Sequence, residues 1–119
     1  MLVVEDDLGV RRVAVAALRT AGYVADEAGG CNAALLRLQQ DGRDYAAVFI
    51  DIGLPDGSGE VVGAHVLRTR PGTAVVLAST TPPLLLPPHT PKLGKPYTAG
   101  RLTQTVRDAI ASRRRVRDA

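Results

Sequence analysis

Three short apolar runs, separated by segments of helical periodicity, restrict this sequence to few architectures. "MLVV" at 1–4, "AAVFI" at 46–50 and "AVVLAS" at 74–79 are continuous rather than alternating, as expected of strands buried on both faces of a parallel sheet. "YVADEA" at 23–28 predicts a further strand. Between these runs, "LGVRRVAVAALRTAGY" repeats Val10, Val13, Ala14, Ala17 and Leu18 at helical spacing, and Gly22 stands where it would close the helix. "CNAALLRLQQDG" predicts a second helix ending at Gly42, and "EVVGAHVLRTRPG" a third closed by Pro71 and Gly72. Strand and helix alternate with short links, which builds right-handed βαβ units. The expectation is an α/β chain with a parallel sheet covered on both sides.

Regularity then fails. "TTPPLLLPPHTP" holds Pro82, Pro83, Pro87, Pro88 and Pro91. A proline inside a helix costs about 3 kcal/mol and removes a donor, so a fourth helix here is short or absent. "KLG" at 92–94 predicts a brief fifth strand. "TAGRLTQTVRDAIASRRR" predicts a last helix, with Leu102, Val106, Ala109 and Ile110 on its inner face and Thr98 as N-cap. The 119 residues suffice for one core without staples, and no repeat or linker divides them, so residues 1–119 read as one domain.

Composition excludes several functions. One cysteine, Cys31, permits no disulfide framework and fits a reducing compartment; on a helix face it reads as a buried or half-buried thiol. No apolar stretch has the length of a membrane span and no signal peptide pattern precedes the first strand, so a cytoplasmic location is expected. The net charge of +3 gathers in Arg113, Arg114, Arg115 and Arg117, a solvated helix end. Three Tyr and one Phe leave little for base stacking, and nucleic-acid binding is not expected.

The residues that interrupt the pattern carry the chemistry. Ligand sites of parallel sheets lie at the carboxyl ends of the strands. Glu5 and Asp6 follow the first strand, Asp51 the third, Ser79 ends the fourth and Lys95 follows the fifth. Massed carboxylates repel unless a cation intervenes, and a hard divalent ion held by one or two carboxylates, water and a phosphate oxygen is typical of Mg²⁺. A carboxylate beside such an ion can attack phosphorus and give an acyl phosphate. Lys95 would meet the charge of that reaction as a point cation, and the Ser79 hydroxyl could bond a phosphoryl oxygen.

"LVVEDD…R", "FIDIGLPDGSG", a hydroxyl residue ending the fourth strand and "LGKPY" occur here in the order and spacing of a known family. The chain resembles, over essentially its whole length, the receiver domain of two-component response regulators. The resemblance implies a flavodoxin-like (βα)5 fold, doubly wound around a parallel five-stranded sheet. It implies Asp51 as phosphoacceptor, with a histidine kinase or phosphotransfer protein as donor. Asp6 would bind Mg²⁺ directly, Glu5 mainly through water, and the Gly53 carbonyl would supply a third protein oxygen. Ser79 would be the switch hydroxyl, with Thr80 as the alternative. Lys95 would be the family's lysine, its bond to Pro96 cis. Such a domain assists its own phosphorylation and dephosphorylation without being a turnover enzyme, and a homodimer is compatible with it.

Two departures stand out. Lys92 takes the place of the usual aromatic residue three positions before the lysine, and residues are deleted around the fourth helix. Receivers at the C-terminus of hybrid histidine kinases often show a similar trimming, so that setting or a stand-alone receiver is expected. The alternative is a pseudo-receiver that signals by binding without phosphorylation. A Mg²⁺-dependent phosphatase is a third reading, but the general acid it needs two residues after Asp51 is here Gly53. Gly53 and Thr81 lie where receivers control loss of the phosphoryl group, and neither activates water strongly, so self-hydrolysis is expected to be slow. Of the remaining polar residues, Asp7 reads as a helix cap and Asp56 as a turn or cap residue. Arg11 and Arg12 read as solvated, His65 and His89 as structural or exposed, and Lys92 as an edge charge.

Overall fold

The structure, a computed structural model, describes residues 1–40 and 42–118; the side chains of Arg115 and Arg117, half of the basic tail, lie outside the described residues. Strands β1 (Leu2–Val4), β2 (Asp26–Ala28), β3 (Ala47–Asp51) and β6 (Ala74–Ala78) form a sheet in the order β2-β1-β3-β6, and every pairing is parallel. Helices α1 (Leu8–Thr20), α2 (Cys31–Gln40), α3 (Gly59–Thr69) and α4 (Ala99–Asp118) make the crossovers and close the chain. A small antiparallel hairpin, β4 (Gly53–Leu54) with β5 (Gly57–Ser58), follows β3.

Alternation within the strands divides the interior in two. Val3, Ala47, Phe49, Ala74 and Val76 point to one face, where α1 contributes Ala14, Val15 and Leu18 and α4 contributes Leu102, Val106 and Ala109. Leu2, Val4, Val48, Ile50, Val75 and Leu77 point to the other, covered by Ala34 and Leu38 of α2 and Val62 and Val66 of α3. Val13, which shares the helical spacing of the buried residues, faces solvent instead: the inner stripe of α1 is rotated by one residue, onto Ala14 and Val15.

Helix ends follow the chemistry of their sequences. Asp7 caps α1 by accepting from the Val10 amide at 2.9 Å. At the other end Gly22, at φ +98°, allows the Tyr23 amide to reach the Leu18 carbonyl and its own amide the Arg19 carbonyl, the Schellman arrangement. Ser58 caps α3 through the Glu60 amide at 3.2 Å. Thr98 accepts from the Arg101 amide at 3.1 Å at the start of α4.

The fifth strand expected over residues 92–94 survives as one bridge, Lys92 beside Leu77. The Leu77 amide donates to the Pro91 carbonyl at 2.9 Å and the Leu93 amide to the Leu77 carbonyl at 2.8 Å. The five-stranded sheet is thus a four-stranded one with a single-residue fifth position. The cause is local: Pro91 has no amide to extend the ladder backwards, and beyond Leu93 the chain turns into the Lys95–Pro96 bend. No helix stands between β6 and this bridge. Residues 81–91 form instead an irregular strap of turns and bends whose Leu86 is buried against the second core face.

Candidate functional site

Register brings the acids together. Val4 pairs with Ile50, and β3 continues one residue to Asp51, the partner of Ala78. Glu5 and Asp51 therefore leave adjacent strands at the same level, at the carboxyl edge, where neighbouring strands are about 4.8 Å apart. Glu5, Asp6 and Asp51 each offer a carboxylate oxygen within 4.8 Å of the others. Lys95, delivered by the turn after the Lys92 bridge, places its Nζ between two of them, 2.9 Å from Glu5 Oε2 and 3.2 Å from Asp51 Oδ2. Its bond to Pro96 is cis.

The four groups differ in exposure. Glu5 is buried, Asp51 half-buried, and Asp6 exposed at the rim. Burial pushes the Glu5 carboxyl up, its hydrogen bond from Lys95 opposes the shift, and the Asp51 charge adds to it. For Lys95 burial acts downward, yet the hydrogen bonds and charges of Glu5 and Asp51 outweigh it and the ammonium is held above its ordinary value. Lys95 remains a cation at neutral pH. One ammonium among three carboxylates leaves excess negative charge on a set of hard oxygen donors, a set suited to Mg²⁺. Gly53, the first residue of β4, is exposed two positions beyond Asp51.

Ser79 follows Ala78 and so lies one residue beyond the level of Asp51. Its hydroxyl is engaged locally: Oγ accepts from the Thr81 amide at 3.1 Å and lies 3.0 Å from Thr81 Oγ1. Thr80 turns its methyl toward Gly94, where a Cβ would overlap Thr80 Cγ2. This close approach keeps the Ser79 loop and the Lys95 loop together. Lys92 is at the sheet edge, its ammonium 3.4 Å from the Pro88 carbonyl and 3.3 Å from that of Thr90.

The remaining polar residues around the site divide: Asp56 and Cys31 take the cap and buried-thiol roles expected of them, whereas Arg11 does not. Arg11, expected to be solvated, is held inward: Nε donates to Glu27 Oε1 at 2.9 Å and Nη1 to the Glu5 carbonyl at 2.9 Å. It ties the acidic loop to β2, whereas Arg12 is exposed as expected. Asp56, at the tip of the hairpin, reaches back to cap α2 by accepting from the Cys31 amide at 2.7 Å and the Asn32 amide at 2.9 Å. Those bonds lower its pKa. Cys31 is buried, with Sγ 3.3 Å from the Ser58 carbonyl. A Cβ at Gly59 would overlap the Asp51 carbonyl oxygen, so only glycine lets α3 begin against the backbone of Asp51. Nothing local in the sequence discloses the contact that requires glycine at this position.

Beside the acids lies an apolar cleft of about 640 Å³, lined by Gly9, Val10, Val13, Pro96 and Tyr97 with Asp7 and Lys95 at its polar end. Tyr97 is fixed there by an edge-on contact with Phe49, ring centroids 5.6 Å apart.

No family model matches the sequence, and no curated protein does. Solved structures do match. A CheY-like response regulator receiver domain protein from Methanospirillum hungatei JF-1 superposes with a TM-score of 0.82 at 19% identity, over 96% of this chain and 94% of that one. A sensor protein from Polaromonas sp. JS666 gives 0.78 at 25% identity, over 94% and 95%. The response regulator TrrA from Thermotoga maritima, in complex with Mg²⁺ and BeF, gives 0.78 at 22% identity, over 91% and 96%. With its parallel sheet, flanking helices and acidic carboxyl edge, the chain has the flavodoxin-like fold of CheY-like receiver domains.

Proposed function

We propose that this chain is a phosphorelay receiver that accepts a phosphoryl group on Asp51 from the phosphohistidine of a histidine kinase or phosphotransfer protein. The observation that carries the reading is the Lys95 ammonium set between Glu5 and Asp51, with Asp6 completing the acid cluster. Lys95 occupies one Asp51 oxygen, and no hydrogen bond among the described residues engages the other. That second oxygen attacks phosphorus, an acyl phosphate forms, and the P–N bond breaks with its electron pair returning to the donor imidazole. Lys95 stays with the Asp51 group and balances the charge that accumulates on the phosphoryl oxygens. Mg²⁺, held by Glu5, Asp6, Asp51 and the Gly53 carbonyl, would supply further charge neutralisation when bound.

Ser79, one residue beyond the level of Asp51, would donate its hydroxyl to a phosphoryl oxygen on leaving Thr81. The apolar cleft along α1, with the exposed Val13 in its lining, suits the helix that would carry a donor histidine. Gly53 offers no general acid two residues beyond Asp51, which supports an acceptor and not a phosphatase that turns over. The irregular strap that stands in place of a helix between β6 and the Lys92 bridge, and Lys92 itself, favour a second reading, a module that binds without being phosphorylated.

Intact mass after incubation with acetyl phosphate and Mg²⁺ separates the two. The wild type is expected to gain one phosphoryl group, and Asp51→Asn and a chelator-treated sample none. A wild type that gains nothing, or gains as much as Asp51→Asn, leaves the binding module standing.

A further inference from the structure

The strap at 81–91 is held by a side chain that belongs to no part of the acidic site. Between Pro82 and Pro91 only Leu84, Leu85, Leu86, His89 and Thr90 carry backbone amides, so the segment cannot build regular structure and its shape depends on outside acceptors. Glu60, in the first turn of α3 and only 6% exposed, supplies one: its Oε1 accepts from the Leu84 amide and the Leu85 amide, each at 2.8 Å. Leu86 then enters the core over Gly63, where a Cβ would stand 2.9 Å from Leu86 Cδ1. The two residues whose amides Glu60 takes turn their side chains out, Leu84 91% and Leu85 62% exposed. At the root of the strap a different bond operates, from the Thr81 amide to Ser79 Oγ.

We propose that the strap is the output element of this chain and pivots about Glu60; this rests on the reading of Asp51 as phosphoacceptor. The root and the middle are fastened by bonds of unequal strength. The bond at Thr81 is to an exposed neutral hydroxyl, whereas those at Leu84 and Leu85 are to one buried carboxylate, where a charged acceptor makes them stronger. When Asp51 is phosphorylated, the Ser79 hydroxyl turns to the phosphoryl oxygen and gives up Thr81. The root loosens while Glu60 keeps the middle, so the strap rotates at Thr81–Pro83 and presents Leu84 and Leu85 at a new angle. Lys92 cannot rotate into the core as an aromatic ring would, and this route needs no such ring.

Amide hydrogen exchange followed by NMR tests the pivot, with Mg²⁺ and beryllofluoride as the phosphoryl mimic and its bound fluorine signal as the measure of loading. On loading, exchange at Thr81 is expected to rise about fivefold, the loss of one neutral hydrogen bond, while Leu84 and Leu85 keep their protection. Glu60→Leu, which fills the space without an acceptor, is expected to raise exchange at Leu84 and Leu85 at least about tenfold in both states, with Asp51 still loading. Glu60→Gln, with a neutral acceptor, should fall between. A loaded protein whose strap amides do not respond, or in which Leu84 and Leu85 open together with Thr81, overturns the pivot and leaves the Asp51 reading intact. Failure of the wild type to load beryllofluoride overturns both. Wild-type exchange at Leu84 and Leu85 equal to that of Glu60→Leu shows that Glu60 holds nothing.

Discussion

At the residue scale, Lys95 offsets only part of the charge of the three acids, and the remainder is a destabilising repulsion in the absence of a cation. Metal binding should therefore register as stability. With Mg²⁺ at ten times its dissociation constant the native state gains about 1.4 kcal/mol, a rise of several degrees in melting temperature. Asp6→Asn is expected to lose most of that rise, yet to melt above the wild type when Mg²⁺ is absent, because one repelling carboxylate is gone. Equal Mg²⁺ responses in the two proteins would remove Asp6 from the metal site. Gly53 and Thr81 bear on the reverse reaction. Gly53 has no side chain to orient water, and the neutral Thr81 hydroxyl is no general base to activate it. Phospho-Asp51 is expected to persist for many minutes in Mg²⁺ buffer, as followed by intact mass; decay within seconds contradicts this.

At the scale of single elements, α3 joins the site to the rest of the molecule. Its first residue, Gly59, abuts Asp51, and its second, Glu60, holds the strap. Its middle carries His65, whose pKa is lowered by burial and then by the nearby Arg68 and Arg70 charges. Arg68 Nη2 lies 3.5 Å from His65 Nδ1, as suits a neutral ring accepting from the guanidinium. A histidine with a depressed native pKa binds its proton more readily in the unfolded chain. It therefore costs nothing above the unfolded value of about 6.5, and removes stability as pH falls from there through the native value. His65→Gln keeps an acceptor and cannot titrate. Urea midpoints taken between pH 7.5 and 5.5 should fall less steeply for it than for the wild type, and parallel slopes would show that His65 contributes nothing to the acid limb.

For the molecule as a whole, what was legible in the sequence was what depends on local pattern. The continuous runs of β1, β3 and β6, the periodic helices and the caps at Asp7 and Thr98 each follow from neighbouring residues. The acid cluster was legible because a parallel sheet collects the ends of its strands on one edge. Contacts between distant positions were not. Arg11, on α1, read as solvated because its partner Glu27 lies on β2, distant in the sequence. The β4–β5 hairpin is two residues a side and has no periodicity to detect. Glu60 drew no reading from the sequence because its partners lie in a segment with no predicted structure. The same segment explains how the fold survives without a helix between β6 and α4. Leu86 descends from the strap into the cluster formed by Val62, Val66, Val75 and Leu77, and is 6% exposed. One leucine thus supplies on that face the apolar cover that a helix would give with a whole stripe. Leu86→Ala should then act as a core truncation despite its place in an irregular loop, costing about 2–4 kcal/mol where a domain has only about 5–15 to lose. Leu84→Ala, two residues earlier and almost wholly exposed, should stay within about 0.5 kcal/mol. Urea unfolding of the two variants makes the comparison at nearly the same place in the chain, and similar midpoints for both would mean that the strap does not close the core.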